Sequence, residues 1–293
     1  MLTSIISLYI ASSVPPTITQ DDLNKMELNL PTTIVKELGP VKKSEFISPI
    51  VDAKGSIAVD IDSQTILFEK NAHERMPIAS ITKLMTALII LEENELNEIV
   101  TVSANAAGTE GSSMYLHSGE RIALENLLYG IIINSANDAA VALAEHNAGT
   151  VNAFVEKMNE KAKKLGLINT HYSNPIGLDN PENYSSAYDI AKLGIHVYQD
   201  KFIKHAAKQQ EFEVKSEDKS ITHHLSSTND LLDSYLNVKG LKTGRTDAAG
   251  LCLAAVAEND NEEEIITVVL NSPARFTESK IIIDWVFRAF DWP

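Results

Sequence analysis

A serine and a lysine stand three residues apart in the stretch PIASITKLMTALIILE, at Ser80 and Lys83. Pro77 precedes them, and an apolar helix is predicted to begin at or just after Ser80. Residues three apart in a first helical turn share a face. A neutral amine there can take the hydroxyl proton, and free N–H groups at a helix start favour developing negative charge. The spacing suits an acyl-transfer nucleophile, although a serine here can also be a simple N-cap.

Two further triplets carry polar groups of the kind that such a nucleophile needs. Ser135-Ala136-Asn137 lies in INSANDAAVALAEH, at a predicted break between two helices, where side chains can project into a cleft. Lys242-Thr243-Gly244 lies in GLKTGRTDAAG, on a predicted strand. Each triplet is common by itself. Their order along the chain, and their contexts of helix start, helix–helix break and strand, together predict one active site.

Strands are predicted near both ends of the chain and helices between them. Two strands are expected in GSIAVDIDSQTILFEKN, and three more in VKGLKTG, GLCLAAVAE and EIITVVLNS. Helical patterns occupy SITKLMTALIILEEN, ALENLLYGIIIN, NDAAVALAEHNAG, NAFVEKMNEKAKKLGL, SSAYDIAKLGIHVYQD and FTESKIIIDWVFRAF. A lone hairpin is marginal in water, so the first two strands should join the last three. The sequence predicts an α+β fold: an antiparallel sheet flanked by helices, a helical subdomain inserted at about 80–200, and a cleft between them.

The first 53 residues differ from the rest in composition and in hydrophobic pattern. Residues 1–13, MLTSIISLYIASS, form a possible signal or N-terminal hydrophobic segment, too short to span a bilayer as an ordinary helix. The first basic residue is Lys25, whereas a secretory signal begins with positive charge, so a disordered start is an equal alternative. Residues 14–53 are punctuated by prolines and are predicted to be a linker. The catalytic domain is expected at 54–293.

Composition excludes some classes of function. The 293 residues are 44% hydrophobic and carry a net charge of −15, which argues against a nucleic-acid partner. The single cysteine, Cys252, allows no internal disulfide and is predicted to be a buried strand residue. His223 and His224 lack the spacing of a helical metal site and are interpreted as surface histidines. We expect no metal and no cofactor.

The three motifs resemble the S-x-x-K, S-x-N and K-T-G signatures of the penicillin-recognising serine transferases. Within that group the chain is similar to the low-molecular-weight D-alanyl-D-alanine carboxypeptidases, peptidase family S11. The resemblance covers about residues 54 to 290 and includes GSSMYLHSGE, NPIGLDNPENYSSAYDIAKL, STNDLL and ARFTESKIIIDWVFRAF. It implies a DD-peptidase/β-lactamase-like fold. It also implies an exported serine-type D-Ala-D-Ala carboxypeptidase that trims peptidoglycan stem peptides outside the cytoplasmic membrane and is inhibited by β-lactams.

The resemblance also assigns catalytic roles by position. Ser80 would attack the carbonyl of the penultimate D-alanine, and Lys83 would accept its proton. Ser135 would relay a proton to the leaving amine and later help to activate water. Lys242 would keep the site positive and bias Lys83 toward its neutral form. The backbone N–H groups of Ser80 and Arg245 would form the oxyanion hole.

Substrate-binding positions follow in the same way. Asn137 would hold a backbone amide of the peptide. Thr243, in the triplet that ends at Gly244, would bind the terminal carboxylate, with help from Arg275. Arg275 would reach that carboxylate if the strand EIITVVLNS neighbours the K-T-G strand. Its alternative is an exposed arginine at the start of the last helix.

Some positions depart from the family pattern. Lys239 stands where an aspartate is usual, and Arg245 where an aromatic residue or histidine is common. Arg245 could favour an anionic substrate segment or point to solvent. The chain ends at Pro293, just after the last predicted helix, so we expect no C-terminal membrane anchor.

Three other functions remain open at this level. A DD-endopeptidase that cleaves peptidoglycan crosslinks would use the same scaffold. A class A-like β-lactamase would need a glutamate that primes the deacylating water, and Glu182 is the nearest candidate. A non-catalytic peptidoglycan-binding protein would tolerate loss of Ser80 or Lys83, yet both are present. The sequence does not predict the oligomeric state.

Overall fold

A five-stranded antiparallel sheet lies at the centre of residues 39–293, the part of the chain that this computed structural model describes. Its strand order is β3-β2-β10-β9-β8, so the N-terminal hairpin joins the C-terminal strands as predicted. The strands are β1 Val41–Lys42, β2 Gly55–Asp60, β3 Ile66–Lys70, β4 Ile99–Thr101, β5 Arg121–Ala123, β6 Glu211–Lys215, β7 Thr222–Ser226, β8 Asn237–Thr246, β9 Gly250–Glu258, β10 Glu264–Ser272 and β11 Phe290–Asp291. Outside the central sheet, β1 pairs with β11, β4 with β5 and β6 with β7.

Helices cover both faces of the sheet. They are α1 Lys83–Glu93, α2 Ala104–Ala107, α3 Leu124–Ile133, α4 Asn137–Ala148, α5 Val151–Lys164, α6 Ala187–Tyr198, α7 Lys201–Ala206 and α8 Arg275–Ala289. Short 3-10 turns at Ala79–Thr82 and Asp230–Asp233 precede α1 and β8. Helices α1 to α7 all fall between β3 and β6, which is the inserted helical subdomain that the sequence predicts. The last helix, α8, packs on the other face of the sheet, against β9 and β10.

Side-chain alternation along the strands divides the interior into two cores. On β10, Ile266 and Val268 face the core shared with the helical subdomain, whereas Ile265 and Val269 face α8. Successive strand residues point to opposite faces. Both sides of the sheet are covered, so the strands read as nearly continuous apolar runs. Cys252 is fully buried on β9, as predicted.

Local signals fix the helix ends. Thr150 and Ser186 accept hydrogen bonds from backbone N–H groups at the starts of α5 and α6. Gly149 ends α4 in the left-handed conformation, at φ 76°. The buried residues of α5 are Phe154, Met158 and Ala162, one face of the helix, as its periodicity predicts.

Two differences from the sequence predictions concern the β6–β7 hairpin and the segment before β2. The hairpin of β6 and β7 was not predicted, and it buries His223, so the interpretation of that histidine as a surface residue is wrong. Its neighbour His224 is exposed. Residues 39–53, assigned to the linker, pack on the domain: β1 pairs with β11, and Val51 and Ala53 are buried. The predicted signal segment and the rest of the linker lie outside the described residues.

Within residues 39–293, no helix is both long and apolar enough to cross a membrane. The same residues contain no group of three or more His, Cys, Asp or Glu side chains that could hold a metal ion.

Candidate active site

Ser80 lies in the 3-10 turn that runs directly into α1. Helix α1 begins at Lys83, and its N-cap position is Thr82, so Ser80 is not the capping residue. The residue before it, Ala79, has φ 50°, a left-handed conformation that is uncommon for alanine. Strained backbone of this kind is concentrated at functional sites, where surrounding contacts hold it in place.

Lys83 is completely buried and makes three polar contacts. Its Nζ lies 2.8 Å from Ser80 Oγ, 2.7 Å from Asn137 Oδ1 and 2.8 Å from the backbone oxygen of Ile176. Burial lowers the pKa of Lys83 well below its ordinary value, and the positive charge of Lys242 lowers it further, against an opposing effect of Asp138. The amine is therefore held toward its neutral form.

The three partners fix where the lone pair of a neutral Lys83 points. The oxygens of Asn137 and Ile176 are carbonyl oxygens, which accept hydrogen bonds and cannot donate them. A neutral amine has two N–H groups, and these two oxygens take both. The remaining partner, the hydroxyl of Ser80, is the one that can donate. The geometry thus directs the lone pair of Lys83 at the Ser80 proton.

The break between α3 and α4 places Ser135 and Asn137. Asn137 opens α4, and its Nδ2 donates to the oxygen of Glu110 at 2.7 Å while its backbone N–H donates to the oxygen of Ser112 at 2.7 Å. These bonds fix the orientation of the amide whose oxygen contacts Lys83. Ser135 is nearly buried and has φ 60°, a second strained position beside the site.

Strand β8 contributes a buried lysine and a buried threonine. Lys242 Nζ donates to the oxygen of Thr243 at 3.1 Å. Burial, and then the charge of Arg275, lower the pKa of Lys242 to about 7. The hydroxyl of Thr243 lies 2.5 Å from that of Thr228. A lysine whose pKa lies near neutral pH is partly protonated there, and its positive charge next to a threonine hydroxyl suits the binding of an anion.

Two glycines allow the backbone to close around Ser80. A Cβ at Gly244 would lie 3.1 Å from the Ser80 nitrogen, and one at Gly177, where φ is +87°, would lie 2.0 Å from the Ala79 oxygen. Strand β8 and the 174–179 loop therefore enclose the turn that carries Ser80. This close approach is what a shared oxyanion hole requires, and its assignment to the N–H groups of Ser80 and Arg245 stays a prediction.

Arg275 reaches β8 although β10, the strand that it follows, is not a neighbour of β8. Strand β9 lies between β10 and β8. The half-buried Arg275 begins α8 just past the end of β10 and donates from Nη1 to the Gly244 oxygen at 2.8 Å. The long side chain of Arg275 reaches past the end of β9, so β10 and β8 need not be adjacent for this contact.

The two residues that depart from the family pattern have different surroundings. Arg245 is exposed. Lys239 pairs with Glu258 across the sheet, at 2.9 Å. Glu182, the residue considered as a β-lactamase-type base, is also exposed, and its backbone oxygen contacts His171.

Two side chains that hold the loops around Ser80 and Lys83, those of Asn174 and Asp138, lie outside the three motifs or were given no role in them. Asn174 Oδ1 accepts the N–H groups of Ile176, Gly177 and Leu178, at 3.3, 2.6 and 3.2 Å, and so shapes the loop behind Lys83. An asparagine followed by Pro-x-Gly is a turn signal, which could have marked this loop. Asp138 was also missed. Its carboxylate accepts from Ser113 Oγ at 2.6 Å and from the N–H of Leu116 at 3.0 Å.

Lys242→Met should move the low-pH limb of the acylation rate to higher pH. The charge of Lys242 lowers the pKa of Lys83, so removing that charge raises the pKa of Lys83. Lys83 then stays protonated up to a higher pH, and a protonated Lys83 cannot act as a base. The rate of reaction with penicillin, measured as a function of pH, reports this midpoint. Lys239→Met, on the same strand, is the control and should leave it unchanged. A midpoint that stays in place or moves down in Lys242→Met would contradict this electrostatic link.

Comparison with known proteins agrees with the motifs. The sequence model of the D-alanyl-D-alanine carboxypeptidase family, Peptidase S11, matches residues 42–274. The chain is 36% identical over 248 residues to D-alanyl-D-alanine carboxypeptidase DacF of Bacillus subtilis (strain 168), and 38% identical over 261 residues to D-alanyl-D-alanine carboxypeptidase DacC of Escherichia coli (strain K12). These matches cover 82% and 83% of this chain, and the chain spans 63% of the length of each relative.

A solved structure shares the fold. The Streptomyces K15 DD-transpeptidase superposes with a TM-score of 0.78 at 31% identity, over 83% of this chain and 100% of that one. The predicted fold class and the resemblance drawn from the motifs are confirmed.

Proposed function

Because this chain belongs to the D-alanyl-D-alanine carboxypeptidase family, peptidase family S11, we propose that it is a serine peptidase that removes the terminal D-alanine from peptidoglycan stem peptides. The observation that carries the proposal is the contact of 2.8 Å between Lys83 Nζ and Ser80 Oγ, in a site where the other two partners of Lys83 are carbonyl oxygens. That arrangement makes a base–nucleophile pair rather than a capping serine.

Acylation begins with attack of Ser80 Oγ on the carbonyl carbon of the penultimate D-alanine. The hydroxyl proton passes to Lys83, and the carbonyl oxygen becomes an oxyanion, which the N–H groups of Ser80 and Arg245 stabilise. Collapse of the tetrahedral intermediate breaks the peptide C–N bond. The leaving amine takes a proton through Ser135, and free D-alanine departs. An ester between the peptide and Ser80 remains.

Deacylation returns the enzyme to its starting state. A water attacks the ester carbonyl and gives its proton to Lys83, relayed by the Ser135 hydroxyl. The ester C–O bond breaks, and Ser80 regains its hydroxyl proton. Lys242 keeps the site positive through both halves, and Asn137 holds the amide of the substrate backbone.

Substrate and location follow from the same proposal. The substrate is a stem peptide that ends in D-Ala-D-Ala, bound through its carboxylate by Thr243 and Arg275. β-Lactams present a strained amide and a carboxylate, acylate Ser80 and inhibit the enzyme. Peptidoglycan lies outside the cytoplasmic membrane, so the enzyme acts there.

The direct test is cleavage of the terminal peptide bond by the purified wild-type chain, measured as formation of the shortened peptide, which is the same product from both substrates. A synthetic stem peptide that ends in D-Ala-D-Ala is compared with the same peptide carrying a C-terminal amide. A carboxypeptidase cleaves the free acid much faster. Equal cleavage of both would replace the carboxypeptidase assignment with that of an endopeptidase, and cleavage of neither would refute both.

Arg275→Ala should reduce cleavage of the free acid by about 10-fold or more, because guanidinium–carboxylate pairing is charge-assisted and geometrically specific. Cleavage of the amidated peptide should fall much less. The control is Arg288→Ala, at the other end of α8, where the guanidinium is exposed and pairs with Asp284 at 2.6 Å. That variant should leave both rates unchanged. Equal losses on both peptides in Arg275→Ala would show that Arg275 does not bind the substrate carboxylate.

A further inference from the structure

A buried histidine on the β6–β7 hairpin contacts the loop in front of α4. His223 is 5% exposed, and both of its ring nitrogens have partners. Nδ1 lies 2.7 Å from the backbone oxygen of Met114, and Nε2 lies 2.7 Å from Glu120 Oε1. Glu120 is also buried, at 7% exposed. The ring therefore spans the space between β7 and both ends of the 114–120 segment.

The two partners of the ring fix its orientation. A carbonyl oxygen accepts only, so Nδ1 donates to the Met114 oxygen. Nε2 shares a second hydrogen bond with Glu120 Oε1. The other oxygen of Glu120, Oε2, accepts the N–H of His117 at 3.0 Å. His223 and Glu120 therefore form a buried hydrogen-bonded pair that is joined to the 114–120 residues at both ends.

The 110–120 segment, which His223 contacts at Met114 and Glu120, begins with the residues that fix Asn137. The oxygens of Glu110 and Ser112 accept the side-chain and backbone N–H groups of Asn137, each at 2.7 Å. The contact is tight: a Cβ at Gly111 would lie 2.6 Å from Asn137 Nδ2. Behind it, the N–H groups of Met114 and Leu116 are bound by the Asp138 carboxylate. The segment is held by α4 on one side and by His223 on the other.

We propose that His223, bound to Glu120, is a positioning residue for Asn137: it holds the 110–120 segment against the start of α4, and so keeps the Asn137 amide on Lys83. This inference rests on the proposed function for its kinetic consequence. His223 does not touch the substrate. It acts through the Met114 oxygen, the segment and Asn137, whose Oδ1 takes one of the two N–H groups of a neutral Lys83.

The first test compares rates of acylation by penicillin. His223→Phe keeps a ring of similar size but removes both ring nitrogens, and it should slow acylation of Ser80 by about 10-fold to 100-fold, the scale of a small misplacement in an active site. Glu120→Gln keeps the shape and one side-chain oxygen, and it should slow acylation less. Asp60→Asn is the control. Asp60 is a buried carboxylate in the β2–β3 turn, bound to Ser63 and Trp292 and far from Asn137 in the fold. Its variant should lose stability and keep the wild-type rate.

The second test asks whether the effect passes through Asn137. If it does, the double variant His223→Phe/Asn137→Ala acylates as slowly as Asn137→Ala alone, since coupled residues are not additive. Losses that multiply in the double variant would overturn the proposal. So would a wild-type rate in both His223→Phe and Glu120→Gln. If His223→Phe does not fold, Glu120→Gln carries both tests by itself.

A third measurement needs no enzymatic activity. Hydrogen exchange of the backbone N–H groups of Asn137 and Leu116 should be faster in His223→Phe, whereas exchange in β9 should stay unchanged. If the wild type forms no penicillin adduct, the proposed function fails, and exchange alone decides on the positioning role. Unchanged exchange at Asn137 and Leu116 would refute that role whatever the activity.

Discussion

Ser80→Ala should lower the rate of D-alanine release by about 10⁴-fold or more, the usual scale for loss of a catalytic nucleophile. Without the hydroxyl no ester can form, and the remaining groups can only bind the peptide. Rates of release and thermal unfolding are measured on the same preparation. Because Ser80 does not cap α1, its loss should change the unfolding temperature little.

Ser186→Ala is the matched control. The Ser186 hydroxyl caps α6 by accepting the N–H of Asp189 at 3.2 Å, and loss of such a cap costs about 1 kcal/mol of stability. This variant should unfold at a lower temperature and keep the wild-type rate. The two variants then distinguish the roles of the serines: Ser80 supports activity, and Ser186 supports stability. A Ser80→Ala variant that is active but less stable would identify Ser80 as a structural residue.

Lys83→Arg should slow acylation by penicillin at least ~100-fold, the scale of losing a general base. A guanidinium keeps the positive charge but does not lose its proton at neutral pH. It is also larger, in a site where Lys83 is completely buried. The rate is measured by mass spectrometry of the adduct in samples quenched at successive times.

Lys157→Arg is the control for the lysine exchange. Lys157 lies on α5 and pairs with Glu93 at 2.6 Å at the surface, so the change should leave acylation unaltered. If Lys83→Arg instead keeps most of the wild-type rate, Lys83 supplies only charge, and the proton acceptor is another group.

The sequence predicted the sheet because its strands are short, nearly continuous apolar runs bounded by turn signals, as expected when both faces of a sheet are covered. Ile57 and Ala58 are adjacent on β2 and belong to different cores, which is what such a strand requires. Helix α5 was equally clear, because its apolar residues repeat at helical spacing. The β6–β7 hairpin was missed because three of its five β7 residues are Thr222, His223 and His224, which do not stand out as a strand.

The site was predictable where a side chain does the chemistry and not where the backbone does. Ser80 and Lys83 are three residues apart, so their contact is local. The Ile176 oxygen, which takes one N–H of Lys83, carries no side-chain signal and arrives through the tertiary fold. From the sequence, the reach of Arg275 depended on whether two strands are adjacent, and strand order cannot be read from local patterns; in the structure Arg275 reaches β8 past β9. Residues 39–53 pack on the domain through a few points, the β1–β11 pairing and the buried Val51 and Ala53, although most of the segment is exposed.

The central claim is that Ser80 is the nucleophile that Lys83 activates, and mapping the penicillin adduct tests it most directly. The wild-type chain is incubated with penicillin, sampled over time and analysed as intact protein and as peptides. We expect one adduct per chain, on the peptide that contains Ser80, formed quickly in the wild type and slowly in Lys83→Arg. No adduct, or an adduct on any other residue, would contradict the claim.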